Sequence, residues 1–264
     1  MDRDVQIFTQ GLNIVKKCDT CEYNLFSSSG LTGKSKVIEQ RLNDGQVLQT
    51  KDLASDEFGE GIASVGDKMY QVLFQSNKLL VYDINNLNNV EVKQQPLDNG
   101  WGITYDGSNL IISDGSNKLT FVDIPSLSIQ RQVSVTFEGS DVYNLNEMEW
   151  VNGLVYANVW MSDCFAKIDP SNGNVVGWVL LDGLKKYFMD TYPPNPSDPV
   201  PPYSSFAYDV NGIAVKPGQT SPLYVTGKFW SKLFVIQEKV ENDGNPMTND
   251  DIDRVKSMCL RQSR

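Results

Sequence analysis

Apolar and polar residues alternate along this chain in short runs, and clusters of Asn, Asp, Gly and Ser separate the runs. Val155-Tyr156-Ala157-Asn158-Val159-Trp160 is typical: alternation of this kind places successive side chains on opposite faces of a strand packed on both sides. One pattern recurs five times, a strand-like run bracketed by polar or charged residues at its first and sixth places. The copies are Lys34–Glu39, Lys78–Asp83, Lys118–Asp123, Cys164–Asp169 and Lys232–Gln237, with starts 44, 40, 46 and 68 residues apart. The long last interval holds a Pro-rich insertion, and removing it restores the period. A unit of roughly 40–50 residues made of strands and turns is the signature of a propeller blade. The prediction is an all-β chain: a five-bladed β-propeller of antiparallel four-stranded blades around a central channel, forming a single domain over residues 1–264.

Hairpin signals support the strand reading. Asn43-Asp44-Gly45 turns the first unit, and Ile168-Asp169-Pro170-Ser171-Asn172-Gly173 leads into a fourth strand at Val175–Leu181. Asp83, Asp123 and Asp169 recur once per unit and are read as caps of hairpin turns rather than metal ligands. Upstream of each repeat lies a second element: Gln10-Gly11-Leu12, Glu60-Gly61-Ile62, Trp101-Gly102-Ile103, Asn146-Glu147-Met148 and Asn211-Gly212-Ile213. These mark entries to the innermost strands, where glycine lets backbones crowd the axis. In an antiparallel pair the start of one strand lies beside the end of the next. Gln10, Glu60, Trp101, Asn146 and Asn211 are therefore expected to ring one mouth of the channel. Phe74, Asp114, Trp160 and Lys228 stand just outside them.

Two segments depart from the period. Residues 187–206 carry six prolines between Pro193 and Pro202 and are predicted to be a surface loop. The tail over 241–264 includes a short helical stretch, Asp250–Gln262, expected to dock against the ring. Which terminus supplies the outer strand of the last blade stays open.

Composition narrows the chemistry. The formal net charge of −10 argues against nucleic acid as a partner, which needs clustered Lys and Arg. No apolar run approaches the roughly 18 residues that span a bilayer. The chain has no histidine, which removes Ser-His-Asp and Cys-His hydrolysis and any zinc site built on imidazole. Of the four cysteines, Cys18 and Cys21 form a Cys-x-x-Cys without the second half of a zinc site; disulfides or inert thiols are expected, with the pairing open. The start, Asp2-Arg3-Asp4, lacks the apolar run of a leader. The expectation is the secretory pathway with its leader absent from this sequence, and the cytosol is the alternative.

Glu60 leads the candidates for acid–base work, because a carboxylate set among aromatic side chains is pushed toward a pKa useful near neutrality. Its plain structural reading is a salt-bridged glutamate. Lys228 is a charge-stabilising donor or a partner for Glu60, and Trp101 and Trp160 are pocket walls or core fillers. Gly59-Glu60-Gly61 is no phosphate loop, since no helix follows it.

Eight strings, in order from about residue 8 to 237, then resemble the plant and bacterial type of glutaminyl-peptide cyclotransferase. They are Phe8–Leu12, Phe58–Ile62, Gly100–Gly107, Ser113–Gly115, Leu145–Trp150, Tyr156–Trp160, Asn211–Ala214 and Thr226–Lys228. The resemblance implies a five-bladed propeller that cyclises the N-terminal glutamine of peptides or proteins to pyroglutamate and releases ammonia. It implies that Glu60 is the catalytic glutamate and that Phe8, Gln10, Phe58, Trp101, Asn146, Trp160 and Lys228 are active-site positions. Phe74 stands where the family usually has tryptophan, which keeps ring packing and loses an indole donor. On this reading Glu60 shuttles a proton from the α-amine to the leaving ammonia, while Lys228, with Asn146 or an indole N–H, stabilises the oxyanion. Gln10 reads the substrate amide, and Phe58, Phe74, Trp101 and Trp160 pack the glutamine side chain. No metal or cofactor takes part, and the enzyme is a monomer. The competing readings are a non-catalytic peptide- or ligand-binding propeller and a metal-dependent propeller lactonase, the latter short of axial ligands.

Overall fold

The computed structural model describes residues 1, 7–193, 207–241 and 246–260. Its strands fall into five antiparallel blades. Blade 1 is β1 (Thr9–Lys16), β2 (Tyr23–Ser29), β3 (Lys36–Arg41) and β4 (Val47–Asp52). Blade 2 is β5 (Gly59–Val65), β6 (Lys68–Leu73), β7 (Lys78–Asp83) and β8 (Asn86–Gln94). Blade 3 is β9 (Ile103–Tyr105), β10 (Asn109–Ile112), β11 (Lys118–Asp123) and β12 (Ile129–Ser134), followed by a small hairpin of β13 (Thr136–Phe137) and β14 (Ser140–Asp141). Blade 4 is β15 (Leu145–Val151), β16 (Leu154–Val159), β17 (Cys164–Ile168) and β18 (Val175–Leu180), and helix α1 (Leu184–Thr191) comes after it. Among the described residues blade 5 has three strands rather than the expected four, β19 (Val210–Ala214), β20 (Leu223–Gly227) and β21 (Phe234–Ile236), and α2 (Asn249–Cys259) follows. The innermost strands adjoin one another in the cycle β1, β5, β9, β15, β19 and back to β1, which closes the five-bladed propeller.

The period-2 pattern explains why blades form and why they stack. In β7, Leu79 and Val81 join the apolar cluster against blade 3, while Leu80 and Tyr82 join the cluster against blade 1. One such cluster fills each of the five junctions between blades. Burying a side chain of this size contributes roughly 1.5–3 kcal/mol, so a sheet too small to stand alone is held by two neighbours. The hairpin aspartates act as the sequence indicates: Asp83, Asp123 and Asp169 accept from the backbone N–H groups of Asn85, Ser126 and Ser171, each at 2.9 Å.

Three expectations need correction. The first repeat lies two residues later than the Lys34–Glu39 pattern, at Lys36–Arg41, because Lys34 N–H closes a turn on Leu31 O at 2.8 Å. The segment from Tyr187 begins not as a loop but within α1, whose Phe188 stacks on Trp230 with ring centroids 4.6 Å apart; residues 194–206 of the expected loop lie outside the described residues. The tail helix runs over Asn249–Cys259, and Gln262 lies outside the described residues. It docks as expected, with Val255 and Cys259 buried in the cluster between blades 3 and 4. The cysteines pair as Cys18–Cys21 and Cys164–Cys259, the second linking α2 to β17. The last blade receives the N-terminus: Met1 O accepts from Leu233 N–H at 3.1 Å.

Candidate active site

The ring positions are built by a repeated backbone irregularity. Register shifts interrupt the inner strands between Thr9 and Gly11, Gly59 and Ile62, Leu145 and Met148, and Val210 and Ile213. A bulge inserts an extra residue and re-aims its side chain. In four blades the irregularity falls on Gln10, Glu60, Asn146 and Asn211. In blade 3 β9 starts later, and Trp101 is fixed instead by its N–H to Ser113 O at 2.8 Å. The bulged residue is thus taken out of the alternation that would bury it between blades.

One layer deeper, the axis is closed by backbone. A Cβ on Gly61 would lie 2.8 Å from Gly102 Cα, and one on Gly102 would lie 2.0 Å from Asn146 O, so these positions exclude any side chain. The exception is Glu147, 1% exposed, at the place where the other blades have glycine. Its Oε1 accepts from Leu12 N–H at 3.1 Å and its Oε2 from Ile213 N–H at 2.9 Å. Inner strands leave N–H groups facing the axis, and this carboxylate satisfies two of them from blades 1 and 5. Glu149 does the same for Val215 N–H at 3.0 Å. Burial pushes both carboxyls up, Glu149 to about 8, and the Glu149 charge raises Glu147 further.

Above this layer a polar chain runs across the mouth. Thr9 O can only accept, so the Asn211 amide that meets it at 3.0 Å must present Nδ2. The same Nδ2 donates to Gln10 Oε1 at 2.6 Å, which turns Gln10 Nε2 toward Glu60 Oε1 at 3.0 Å. A backbone carbonyl therefore sets the orientation of both amides and holds one oxygen of Glu60. Glu60 is 4% exposed, and burial raises its pKa well above the ordinary carboxylate range, opposed by the Lys228 charge and the Gln10 bond.

Lys228 is also 4% exposed, and burial lowers its pKa against the opposing pull of Glu60 and Asp209. Its backbone is pinned on both sides: Lys228 N–H donates to Asp209 O at 3.0 Å, and Phe229, with φ of 57°, donates to Ile7 O at 2.9 Å. The ammonium stands 4.8 Å from the Phe8 ring centroid and 5.2 Å from that of Trp160. Aromatic contacts extend this arc both ways, Trp160 to Trp101 at 5.5 Å, Phe8 to Phe58 at 6.2 Å and Phe58 to Phe74 at 5.7 Å. Phe58, Phe74, Trp101 and Trp160 are half-buried, so their outer faces line the opening.

Contacts join Glu60, Lys228, Phe8, Gln10, Phe58, Phe74, Trp101 and Trp160 at one mouth, and Asn146 takes the equivalent ring position in blade 4; Asp114, also expected there, caps a turn by accepting from Ser116 N–H at 3.0 Å. Five buried polar atoms there have no hydrogen-bond partner among the described residues: Glu60 Oε2, Asn146 Oδ1, Asn211 Oδ1, Trp101 Nε1 and Trp160 Nε1. Folded proteins pair the large majority of such atoms, so a cluster of orphans marks a place built for a polar guest. The opposite mouth holds a cavity of about 500 Å³ lined by Asn13, Ser64, Thr104 and Glu149 among others, without lysine or arginine. The sequence placed Asn211 on the ring and offered it only as an axial ligand for the lactonase alternative, and the Gln10 link shows what it does. Among the described residues no group of three or more Cys, Asp or Glu is placed to hold a metal ion.

Comparison with known proteins agrees with this geometry. The family model described as glutamine cyclotransferase matches residues 1–237. A curated protein of Arabidopsis thaliana, glutaminyl-peptide cyclotransferase, is 36% identical over 237 residues, covering 89% of this chain and 68% of that protein. The crystal structure of Myxococcus xanthus glutaminyl cyclase superposes with a TM-score of 0.74 at 28% identity, over 89% of this chain and 92% of that one.

Proposed function

Because the chain belongs to the glutamine cyclotransferase family and is a glutaminyl cyclase, converting N-terminal glutaminyl residues of peptides to pyroglutamate, we propose that Glu60 moves the proton and Lys228 steadies the charge in that reaction. The α-nitrogen of the substrate attacks its own side-chain carboxamide carbon. The new C–N bond closes a five-membered ring, the carbonyl oxygen becomes an oxyanion, and the old C–N bond then breaks to release ammonia.

The α-ammonium has a pKa near ~8, so the attacking amine needs only modest help. Glu60 Oε2, the carboxylate oxygen that Gln10 leaves unused, takes the amine proton and returns it to the departing nitrogen. A raised pKa brings the carboxyl closer to both nitrogens and makes transfer in either direction easy, an effect worth roughly 10²–10⁴-fold. Lys228, with the Nδ2 of Asn146 or an unpaired indole N–H of Trp101 or Trp160, donates to the oxyanion. The aromatic arc packs the flexible glutamine side chain into the bent shape that ring closure needs. Gln10 holds Glu60 with one amide N–H and keeps the other for the substrate. Phe74 supplies apolar wall without an indole donor. The scheme routes no step through a metal.

The observation that carries this reading is the set of five orphaned polar atoms gathered beside a buried Glu60 and Lys228. Both cysteine pairs are disulfides, which supports the secretory pathway. Among the described residues no helix is long and apolar enough to cross a membrane. The test is to incubate the protein with a peptide beginning in glutamine, with and without a chelator. Equal ammonia release in both, with mass loss of one NH₃ per peptide, is expected. No release would leave a binding propeller, and release abolished by the chelator and restored by a divalent ion would overturn the metal-free scheme.

A further inference from the structure

Asn211 belongs to the ring and is fully buried, and only its donor end is used. Nδ2 spends both hydrogens, on Thr9 O at 3.0 Å and on Gln10 Oε1 at 2.6 Å. Its orientation follows from the Thr9 carbonyl, so Oδ1 is an acceptor that cannot exchange places with the nitrogen. That oxygen receives no hydrogen bond from any described residue. It stands at the blade position equivalent to that of Glu60, on the far side of the Gln10 amide that joins the two residues. Of the three orphaned acceptors at the mouth, two stand at the ends of one hydrogen-bonded chain, Asn211 Oδ1 and Glu60 Oε2, and the third is Asn146 Oδ1. The orphaned indole donors, Trp101 Nε1 and Trp160 Nε1, belong to the aromatic arc.

This division matches a glutamine side chain. Its carboxamide offers N–H₂ hydrogens to acceptors and a carbonyl oxygen to donors. The α-nitrogen needs one acceptor, which Glu60 provides, and the carboxamide nitrogen needs another. Resting on the cyclase reading above, we propose that Asn211 is a specificity-determining residue: its Oδ1 accepts a carboxamide N–H of the substrate and so selects a nitrogen leaving group. An N-terminal glutamate presents only carboxylate oxygens, and these would face an acceptor fixed in place by Thr9. A site that pairs a substrate N–H rejects the analogue lacking it because its own buried group is left unpaired.

The experiment compares two substrates that cyclise through the same ring. One peptide begins with glutamine and releases ammonia. The other begins with glutamate γ-methyl ester, which releases methanol and has no side-chain N–H. kcat/KM is measured for both with the parent enzyme and with Asn211→Ala, after subtraction of the uncatalysed rate. The expected result is a loss on the glutamine peptide at least about 10-fold greater than the loss on the ester, since both substrates share whatever is lost when Asn211 no longer holds Gln10. Asn211→Ser is assayed in parallel: its shorter side chain keeps a polar group in the site, removes the substrate contact and covers the case in which Asn211→Ala does not fold. Equal losses on both substrates, or no loss on either, would overturn the proposal, since a purely structural asparagine serves both reactions alike. A parent enzyme that releases neither ammonia nor methanol would instead remove the cyclase reading on which the proposal rests.

Discussion

At the scale of single residues, the site depends on two buried charges that shift each other. Burial raises Glu60 and lowers Lys228, and each is partly restored by the other's opposite charge. Glu60 must be ionised to accept the amine proton, so kcat/KM falls as pH drops through its raised pKa. Removing the Lys228 charge takes away the principal influence that holds this pKa down. Lys228→Ala is therefore expected to lower kcat by about 10²–10³-fold and to move the acid limb of the pH–rate profile to higher pH. An unchanged limb would show that the two residues do not interact in the working enzyme. A loss confined to KM would assign Lys228 to ground-state binding. The ring residues were legible in the sequence because each opens an inner-strand triplet, four of the five beside a glycine. The chain from Thr9 through Asn211 and Gln10 to Glu60 was not, because no spacing in the sequence tells which amide end faces which neighbour.

At the scale of elements, β15 differs from its four equivalents. Where they bring glycine to the axis, it brings Glu147, and two residues later Glu149, whose carboxyls serve N–H groups of β1, of β19 and of Val215 just after β19. The substitution of glutamate for glycine in the fourth triplet was visible in the sequence, but its meaning required the backbone donors it meets. Glu149 has a pKa of about 8 in the folded protein against 4.5 when unfolded. Between these values the folded state binds more protons than the unfolded one, so this group makes stability fall as pH rises from 4.5 to 8. Glu149→Gln keeps an acceptor for Val215 and cannot ionise. The variant is expected to flatten that part of the pH dependence and to be more stable than the parent above pH 8, by up to about 5 kcal/mol. Thermal unfolding of both proteins at several pH values decides it, and parallel curves would contradict the assignment. Helix α1 was missed for a different reason: the six prolines that follow dominate the composition of that stretch, while Leu184–Thr191 just before them has an ordinary helical face with Phe188 inward.

At the scale of the whole molecule, the fold was legible because a propeller writes its period into the chain. Five strand patterns and five triplets, read together, gave blade count, channel and mouth. The first blade slipped by two residues only because the turn at Leu31–Lys34 takes up a lysine that fits the pattern. The pairing of Cys164 with Cys259 was beyond sequence, since four cysteines allow three pairings. That bond joins α2 to β17 across 95 residues, one strand out from β16. Cys259→Ser is expected to lower stability by about 2–4 kcal/mol and to leave kcat/KM for a glutamine peptide unchanged at 25 °C. A proportionate fall in activity at full folding would mean that the tail supports the site.

The central claim is that a carboxylate carried by blade 2, held from blade 1 and faced by a lysine from blade 5, moves the proton in ring closure. Its most direct test is Glu60→Gln, assayed for both turnover and peptide affinity. The account predicts a folded protein that binds a glutamine peptide within a few-fold of the parent and releases ammonia at least about 10²-fold more slowly at every pH. Turnover within a few-fold of the parent, or an equal loss of affinity and rate, would contradict it.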